Sequence, residues 1–388
     1  MSFLIILLLV IWIFAVSNFE IERLTIILGF GGMDIPTWLR YLLGVIAAGF
    51  FFITLLLHEL SHSFVAQRYG AHVHNITLFV LGGMAQIEDI PREPGKEANV
   101  AAAGPALSLG LGAIAYAVYY VFGPVSTIVV ENVTVPVATF QNAILIVLGI
   151  IAFYNILLGF FNLIPALPMD GGRILRAGLA MRMPYIDATR LAVAIGKSFA
   201  IAIGILGIIT LAVGGLWLLI IAIFIYFAGS AEEKAAVVSI TLEGIKVRDI
   251  MTAVPEVIYV PPNWMIDQLI DLMFKTRHMG YPVQESQDSR VLGVITFSDV
   301  QKVRDSMQST STTRVAEIMN RELITISPDA DSYEALKIMS MMNIGRLIVI
   351  DKDDREMQIQ GIVSRTDLVR AIQFSGIYGD YGDKKKYW

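Results

Sequence analysis

Residues Tyr41–His62 read YLLGVIAAGFFFITLLLHELSH, an apolar run that ends in His58-Glu59-Leu60-Ser61-His62. An apolar stretch of about 20 residues is long enough to cross a bilayer as a helix. On a helix, positions i and i+4 share one face, so His58 and His62 can bind one metal ion together. Ionisable groups at the end of such a helix are costly unless they function or are paired. The run therefore predicts a membrane-spanning helix that ends in a metal site.

Charged residues are concentrated in the last part of the chain. The 388 residues are 55% hydrophobic and 16% charged, whereas soluble domains carry about 25% charged residues. Residues 1–230 hold 10 of the 29 Lys+Arg and 11 of the 34 Asp+Glu, which leaves 19 and 23 for residues 231–388. This distribution excludes a purely soluble enzyme. The net charge of −5 argues against nucleic acid as a partner, and the absence of cysteine excludes thiolate zinc sites and disulfides.

Six apolar segments are candidate spans, although the first is short. They are Phe3–Val16, Tyr41 to beyond His58, Val100–Val121, Ala143–Ile164, Leu191–Val213 and Leu216–Phe227. The loops after the second and fourth segments carry Lys and Arg, whereas the loop between the third and fourth has neither. Because Lys and Arg favour the cytoplasmic side, we expect both termini to be cytoplasmic. The strand-like run Asn75–Leu81, followed by Gly82-Gly83, predicts a short β segment that is either a loop or re-enters the membrane among the helices.

A catalytic zinc site normally has three protein ligands and one water. Asp170 is the best candidate for the third ligand, because it follows an apolar run at the cytoplasmic end of the fourth span. Pro165 and Pro168 break the helix before it. The alternative is that Asp170 only caps the start of the next helix. Other candidate ligands lie in more polar loops: Asp187, Glu88, Asp89, His72 and His74.

Two motifs together resemble the site-2 protease family, which consists of M50-type intramembrane zinc metalloproteases. They are the motif at His58–His62 and the pattern Asn162…Pro165…Pro168-Met169-Asp170-Gly171, and Ala103-Gly104-Pro105 in the third span is also similar. One position departs from the family, because many members carry Asn where this chain has Ser108. That departure puts a secondary polar contact in doubt, but not the zinc. The loop between the third and fourth spans is too short for a PDZ-like insertion, so substrate selection must come from elsewhere.

The resemblance implies a mechanism of regulated intramembrane proteolysis. One Zn²⁺ per chain is held by His58, His62 and Asp170, and Asn162 steadies the oxyanion of the tetrahedral intermediate. Glu59 is the general base that takes the proton of zinc-bound water and passes it to the leaving amine. The implied substrates are membrane proteins, cleaved in or near their transmembrane segments.

The last part of the chain contains an internal repeat with an offset of 68 residues. Met251 recurs as Met319, and Gly293 recurs as Gly361. The repeat resembles a tandem pair of CBS domains, which implies an adenine nucleotide (ATP, ADP or AMP) as regulatory ligand and association into a homodimer. The family's ribose-and-phosphate motif corresponds to Thr296, Asp299, Ser364 and Asp367. The alternative is that the two hydroxyl residues cap helices and the two aspartates lie in the first helical turns.

The predicted architecture is a polytopic α-helical membrane domain, of about six transmembrane helices with a short re-entrant β segment, followed by an α+β tandem CBS domain pair. We expect the membrane domain at 1–230, a linker at 231–246, CBS repeats at 247–310 and 311–376, and a tail at 377–388. The chain is then a multi-pass protein of the cell membrane with cytoplasmic CBS domains. A CBS-regulated transporter or channel is the alternative, with the His/His/Asp cluster as an ion site. Glu59 disfavours it, since a transport site gains little from a carboxylate that does not bind the ion; an inactive scaffold is a third option.

Overall fold

Among the described residues of the first unit, 1–234, seven α-helices begin. They are α1 (Ser2–Val16), α2 (Thr37–Arg68), α3 (Pro94–Phe122), α4 (Phe140–Asn162), α5 (Asp170–Ala180), α6 (Tyr185–Ile209) and α7 (Leu216–Leu242). In this computed structural model, residues 2–21, 26–79, 82–88, 93–130, 133–287, 289–305, 309–351 and 358–378 are described. Within those ranges, five helices are long and apolar enough to cross a membrane: α2, α3, α4, α6 and α7.

The first of the six predicted spans is the shortest helix among them. It corresponds to α1, whose 15 residues rise about 22 Å, less than the roughly 30 Å of hydrocarbon in a bilayer. The helix packs closely on α2, because a Cβ atom at Gly44 would lie only 2.9 Å from the backbone oxygen of Ile11. The other five predicted spans correspond to the five long helices.

In the described parts of the connections between these helices, the strands form three antiparallel pairs. They are β1 (Phe19–Ile21) with β2 (Ile26–Leu28), β3 (His72–Phe79) with β4 (Gly82–Glu88), and β5 (Thr127–Val130) with β6 (Val133–Pro136). The predicted strand-like run overlaps β3, while Val80 and Leu81 lie outside the described residues. Gly82 and Gly83 begin the partner strand β4 and pair with Phe79 and Leu78. The β3–β4 hairpin contacts both α1 and α2, so it lies beside helices of the bundle.

Helix α3 is central to the first unit, since it contacts α2, α4 and α5. Small residues allow these close approaches: a Cβ atom at Gly112 would lie 2.7 Å from the Ile156 side chain of α4. At the N-terminus of α4, the Thr139 side chain accepts a hydrogen bond from the backbone N–H of Asn142, which satisfies a free donor of the first turn. α3 can therefore hold side chains of α2 and α5 in fixed positions.

The second unit, residues 235–388, contains two similar sets of helices and strands. The first set is α8 (Val247–Ile250), β7 (Thr252–Ala253), α9 (Ile266–Thr276), β8 (Gly280–Val283), β9 (Gly293–Thr296) and α10 (Phe297–Asp305). The second set is α11 (Val315–Ile318), β10 (Thr325–Ile326), α12 (Ser332–Met341), β11 (Arg346–Val349), β12 (Gly361–Ser364) and α13 (Arg365–Tyr378). One sheet has the strand order β10-β11-β12-β7, and β8 pairs with β9. This mixed α and β composition agrees with the predicted CBS pair.

The two repeats exchange their first segments. β7 of the first repeat pairs with β12 of the second, and Asn320 at the start of the second repeat pairs with Val294 of β9 in the first. The hydrophobic cores are exchanged in the same way. Val247 is fully buried in the core of the second repeat, and Val315, which is 68 residues later, is fully buried in the core of the first. Each repeat is therefore completed by the other.

Two predicted segments, the linker and the tail, begin within helices of the structure. The predicted linker at 231–246 is helical over most of its length, because α7 continues to Leu242, whose side chain is fully buried in the core of the second repeat. The predicted tail at 377–388 begins within α13, and residues 379–388 lie outside the described residues.

Candidate metal centre

Three side chains from α2 and α5 converge on one point. His58 and His62 lie one turn apart on α2, and Asp170 is the first residue of α5. The two Nε2 atoms are 3.3 Å apart. The Asp170 Oδ2 atom lies 3.4 Å from Nε2 of His58 and 3.2 Å from Nε2 of His62. The three predicted ligands are thus brought together in the folded chain.

These distances fit a tetrahedral zinc ion. Zn–N and Zn–O bonds of about 2.0–2.1 Å place neighbouring ligand atoms of a tetrahedron about 3.3 Å apart. Both histidines are buried, and Asp170 is only 13% exposed, so water competes little for these ligand atoms. Three protein ligands occupy three corners, which is the arrangement of catalytic rather than structural zinc sites.

The second nitrogen of each imidazole ring already has a partner. Nδ1 of His62 lies 2.7 Å from the backbone oxygen of Val100 and donates to it, since a carbonyl oxygen can only accept. That hydrogen bond places the proton on Nδ1 and leaves the Nε2 lone pair free for a metal. Nδ1 of His58 lies 2.9 Å from the hydroxyl oxygen of Ser108. The position that departs from the family therefore still provides a polar contact to a histidine.

Gly104 of α3 lies directly against the two imidazole rings. A Cβ atom at this position would fall 2.2 Å from Nε2 of His62 and 2.6 Å from Nε2 of His58. Real Cβ atoms do not approach other atoms so closely. The absence of a side chain at Gly104 is therefore a geometric condition of the site.

A tight turn brings Asp170 to the histidines. Cβ atoms would lie 2.2 Å from the Leu163 oxygen if added at Gly171, and 2.3 Å from the Leu167 nitrogen if added at Gly172. The start of α5 is thus folded against the end of the preceding turn. The alternative role of Asp170 as a helix cap is not what the structure shows: Met169 is the N-cap residue, and it makes no side-chain capping bond.

Of the other candidate ligands, Asp187 is the one whose side chain is described, and it does not join the cluster. Asp187 is 56% exposed and lies 4.0 Å from Arg190 on the surface of α6. The side chains of His72, His74 and Glu88 lie outside what the structure describes, as does Asp89. Within the described ranges, the cluster that could hold a metal ion consists of His58, His62 and Asp170.

The two predicted catalytic residues differ in their surroundings. Glu59 is half-buried on α2, between the two histidines in sequence, and its carboxylate has no hydrogen-bond or ion-pair partner in the described part of the chain. Asn162 is the last residue of α4, and its Nδ2 atom donates to the Leu158 oxygen at 3.0 Å. No hydrogen bond in the described ranges joins Asn162 to the three ligand atoms.

In the second unit, the predicted nucleotide-binding residues cap helices. The hydroxyl and backbone N–H of Ser364 both donate to Oδ2 of Asp367, at 2.6 and 2.9 Å. Thr296 and Asp299 repeat this arrangement at 2.6 and 3.0 Å. Both aspartates lie in the first turn of their helices. The capping alternative is therefore present in both repeats. Among the described residues, the partner of the second carboxylate oxygen, Oδ1, of each aspartate is a basic side chain of the same helix.

A cavity of about 430 Å³ lies beside Ser364 and Asp367. Four arginines line it, namely Arg277, Arg346, Arg365 and Arg370, together with His278, against the acidic Glu256 and Asp367. Burial lowers the pKa of Arg346, although Tyr281 and Asp367 oppose this change, and a guanidinium stays protonated at neutral pH. Thr296 and Asp299 do not line this cavity. The cavity therefore suits an anion.

Sequence reasoning missed several residues around the metal centre. The acceptor at Val100, the close approach at Gly104 and a buried ion pair between Glu97 and Arg176 all depend on how α3 packs. Glu97 lies in the polar stretch 91–99 before the third predicted span, so its neighbours did not indicate that it would be buried. The acceptor at Val100 is a backbone oxygen, which every residue has, so the identity of the residue does not predict this contact.

Comparisons with known proteins show what the two parts of the chain are similar to. The Peptidase family M50 profile matches residues 46–203, and the CBS domain profile matches 247–306 and 315–374. A zinc metalloprotease of Methanocaldococcus jannaschii is 33% identical over 325 residues, which cover 83% of either chain. Rip3 of Mycobacterium tuberculosis, also named a zinc metalloprotease, is 30% identical over 87% of this chain and 82% of its own. The solved site-2 protease of M. jannaschii is 33% identical, covers 49% of this chain and 78% of its own, and has a TM-score of 0.36.

Proposed function

Because this chain belongs to the peptidase M50 (site-2 protease) family of zinc metalloproteases and carries tandem CBS domains, we propose that it cleaves peptide bonds in or beside transmembrane helices of other membrane proteins. The observation that carries the proposal is the buried cluster of His58, His62 and Asp170, with ligand atoms 3.2 to 3.4 Å apart. The two histidines of the cluster lie on α2, a helix that can cross a membrane. The substrates of the proposed enzyme are therefore in the membrane too. Membership of this family favours a protease over the transporter or channel that the sequence left as the alternative.

His58, His62 and Asp170 are the residues that hold Zn²⁺ in this proposal. When bound, Zn²⁺ polarises a scissile carbonyl and lowers the pKa of water toward 7. The hydrogen bonds from the two imidazoles to Val100 and Ser108 fix the ring orientations and keep both Nε2 atoms directed at the site.

Glu59 moves the protons of the reaction. Its carboxylate takes one proton as the water oxygen bonds to the scissile carbon, and returns it to the nitrogen when the C–N bond breaks. The products are a carboxylate and an amine. Asn162 keeps one amide N–H beyond the bond to Leu158, and that N–H is the proposed donor to the developing oxyanion. A helical substrate hides its carbonyls in hydrogen bonds, so the substrate has to unwind locally before this attack.

Asp170→Asn tests the proposed site directly. An amide oxygen is neutral and binds Zn²⁺ poorly, so we expect zinc affinity to fall by at least about 100-fold and cleavage to be lost. Zinc affinity is measured by chelator competition on the purified chain, and cleavage with a transmembrane peptide in liposomes. Asp187→Asn, a surface change on α6, is the control and should match the unaltered chain. Full zinc binding together with full cleavage in Asp170→Asn would rule out this ligand set.

The CBS domains are proposed to lie in the cytoplasm and to bind an adenine nucleotide in the cavity beside Asp367. The Arg-bearing segment between α4 and α6 is cytoplasmic by the positive-inside rule, and α6 and α7 then return the chain to that side. Asp367 is placed to accept the ribose hydroxyls, while the cavity's arginines neutralise phosphate. The first repeat has Phe297 where the second has Arg365, so we expect the second repeat to bind more tightly. Nucleotide binding would then change the rate of cleavage.

Arg370→Met tests this nucleotide site. Arg370 lines the cavity and is 67% exposed, so its removal deletes a phosphate partner, and we expect ATP affinity to fall about tenfold. The matched control is Lys302→Met, because Lys302 is the equivalent residue of the first repeat, 68 positions earlier. Binding is measured with fluorescent ATP on sealed vesicles of both orientations. Equal affinity in both variants, or binding only from the extracytoplasmic side, would contradict the proposal.

A further inference from the structure

A buried ion pair connects α5 to α3. The Glu97 Oε1 atom of α3 lies 2.6 Å from Nη2 and 2.8 Å from Nε of Arg176 on α5. Both side chains are buried, at 5% and 6% exposure. A buried charge is costly unless it is paired, and a guanidinium that donates twice to one oxygen fixes the orientation of its partner closely. The ion pair therefore restricts how α5 can move against α3.

Both helices that it joins contribute to the metal centre, although the two histidines themselves lie on α2. α3 supplies the Val100 and Ser108 acceptors of the two histidines and the close approach at Gly104. α5 begins with Asp170, six residues before Arg176, so the two side chains are about 9 Å apart along the helix axis. A small rotation of α5 about its own axis would shift the Asp170 carboxylate away from the imidazoles.

The rest of α5 is held by apolar packing, because Leu175 and Leu179 pack against Ala192 and Val193 of α6. The first turn of α5 is held by the close packing of Gly171 and Gly172, and Met169 adds no side-chain capping bond. Glu97 and Arg176 each have a further polar partner. The Tyr185 hydroxyl donates to Glu97 Oε1 at 3.3 Å, and Glu232 of α7 lies 3.4 Å from Nη1 of Arg176. Burial lowers the pKa of Arg176, but Glu97, Tyr185 and Glu232 outweigh burial and raise it overall. The guanidinium thus stays charged.

We propose that Glu97 and Arg176 are positioning residues that hold Asp170 in register with His58 and His62. This inference rests on the proposed zinc site. The ion pair acts at a distance, since neither residue contacts the three ligand atoms. A metal site requires its ligands to be held within about 0.5 Å of the productive geometry, and a shift of about 1 Å can cost about 100-fold in rate.

Arg176→Met and Glu97→Gln test the proposal by three measurements: zinc affinity by chelator competition, kcat and KM on a transmembrane peptide, and Tm without metal. We expect zinc affinity to fall about 10- to 100-fold and kcat to fall with KM nearly unchanged. Lys197→Met is the control, because it breaks the Lys197–Glu233 ion pair between α6 and α7 at 3.4 Å without touching α5. This control should lower Tm at most and keep zinc affinity.

The double variant Glu97→Gln with Arg176→Met covers the case in which a single variant does not fold. It leaves no fully buried unpaired charge, since Glu232, the other partner of Arg176, is 28% exposed, so we expect it to fold and still to bind zinc at least about tenfold more weakly than the unaltered chain. Unaltered zinc affinity in the double variant overturns the proposal, because the ion pair would then serve stability alone. The unaltered chain and Asp170→Asn are measured alongside. Absence of zinc binding in the unaltered chain would instead refute the proposed function.

Discussion

Glu59→Gln is expected to abolish peptide-bond cleavage while zinc stays bound. The amide has the shape of the carboxylate but cannot take a proton from water, so the step that general base catalysis accelerates about 10²- to 10⁴-fold is lost. Glu59 is not one of the three clustered ligands, so zinc affinity should change less than threefold. Cleavage of a transmembrane peptide in liposomes and zinc content of the same sample are the two measurements.

Glu93→Gln is the matched control for this prediction. Glu93 precedes α3 and is 66% exposed, with Lys96 at 2.7 Å as its partner. A surface ion pair of this kind contributes little to stability, so this variant should cleave at the normal rate. If Glu59→Gln cleaves as fast as Glu93→Gln, the proton is carried by another group and the proposed mechanism is wrong.

Gly104→Ala is expected to eliminate both zinc binding and cleavage by adding one methyl group. The new Cβ atom would fall 2.2 Å from Nε2 of His62. The ring cannot easily withdraw, because its Nδ1 atom is held by Val100 on the same helix α3. Either α3 shifts away from α2 or His62 leaves the cluster. Helix propensity alone would predict the opposite effect, since alanine is favoured over glycine by about 1 kcal/mol inside a helix.

Gly110→Ala on the same helix separates these two effects. An added Cβ atom at Gly110 meets nothing within 4 Å, so this variant should retain zinc and activity and melt at the same or a slightly higher temperature. Zinc titration and thermal unfolding of both variants are the measurements. Normal zinc affinity in Gly104→Ala would mean that α3 does not lie as close to the imidazoles as described.

Sequence alone could predict the features that depend on neighbouring residues or on a repeated pattern along the chain. The spacing of His58 and His62 determines a shared helix face wherever that helix lies, and the constant offset of 68 residues defines the two repeats. The long apolar runs likewise predict the five long helices. The role of Asp170 could not be predicted from its neighbouring residues alone. Those residues left a helix cap as an alternative, and the family resemblance made Asp170 the expected ligand.

The features that sequence could not predict depend on packing between distant segments. The partners of the two imidazoles lie 38 and 50 residues away, and Arg176 lies 79 residues from Glu97. No local pattern encodes which turn of α3 faces α2 or α5. Similarly, hydropathy could not show that α7 continues to Leu242, because charged residues at 232–234 marked the end of the apolar run.

The exchange of first segments between the two repeats has a consequence for any chain that carries only one of them. Such a chain would present the edge of β9 or β12 without its neighbour, and the pocket that receives Val315 or Val247 would be empty. Two identical single-repeat polypeptides can repair both defects by lending these segments to each other. An isolated half is therefore expected to be an obligate dimer, and a gene fusion of two such halves would yield the pairing within one chain that this protein has.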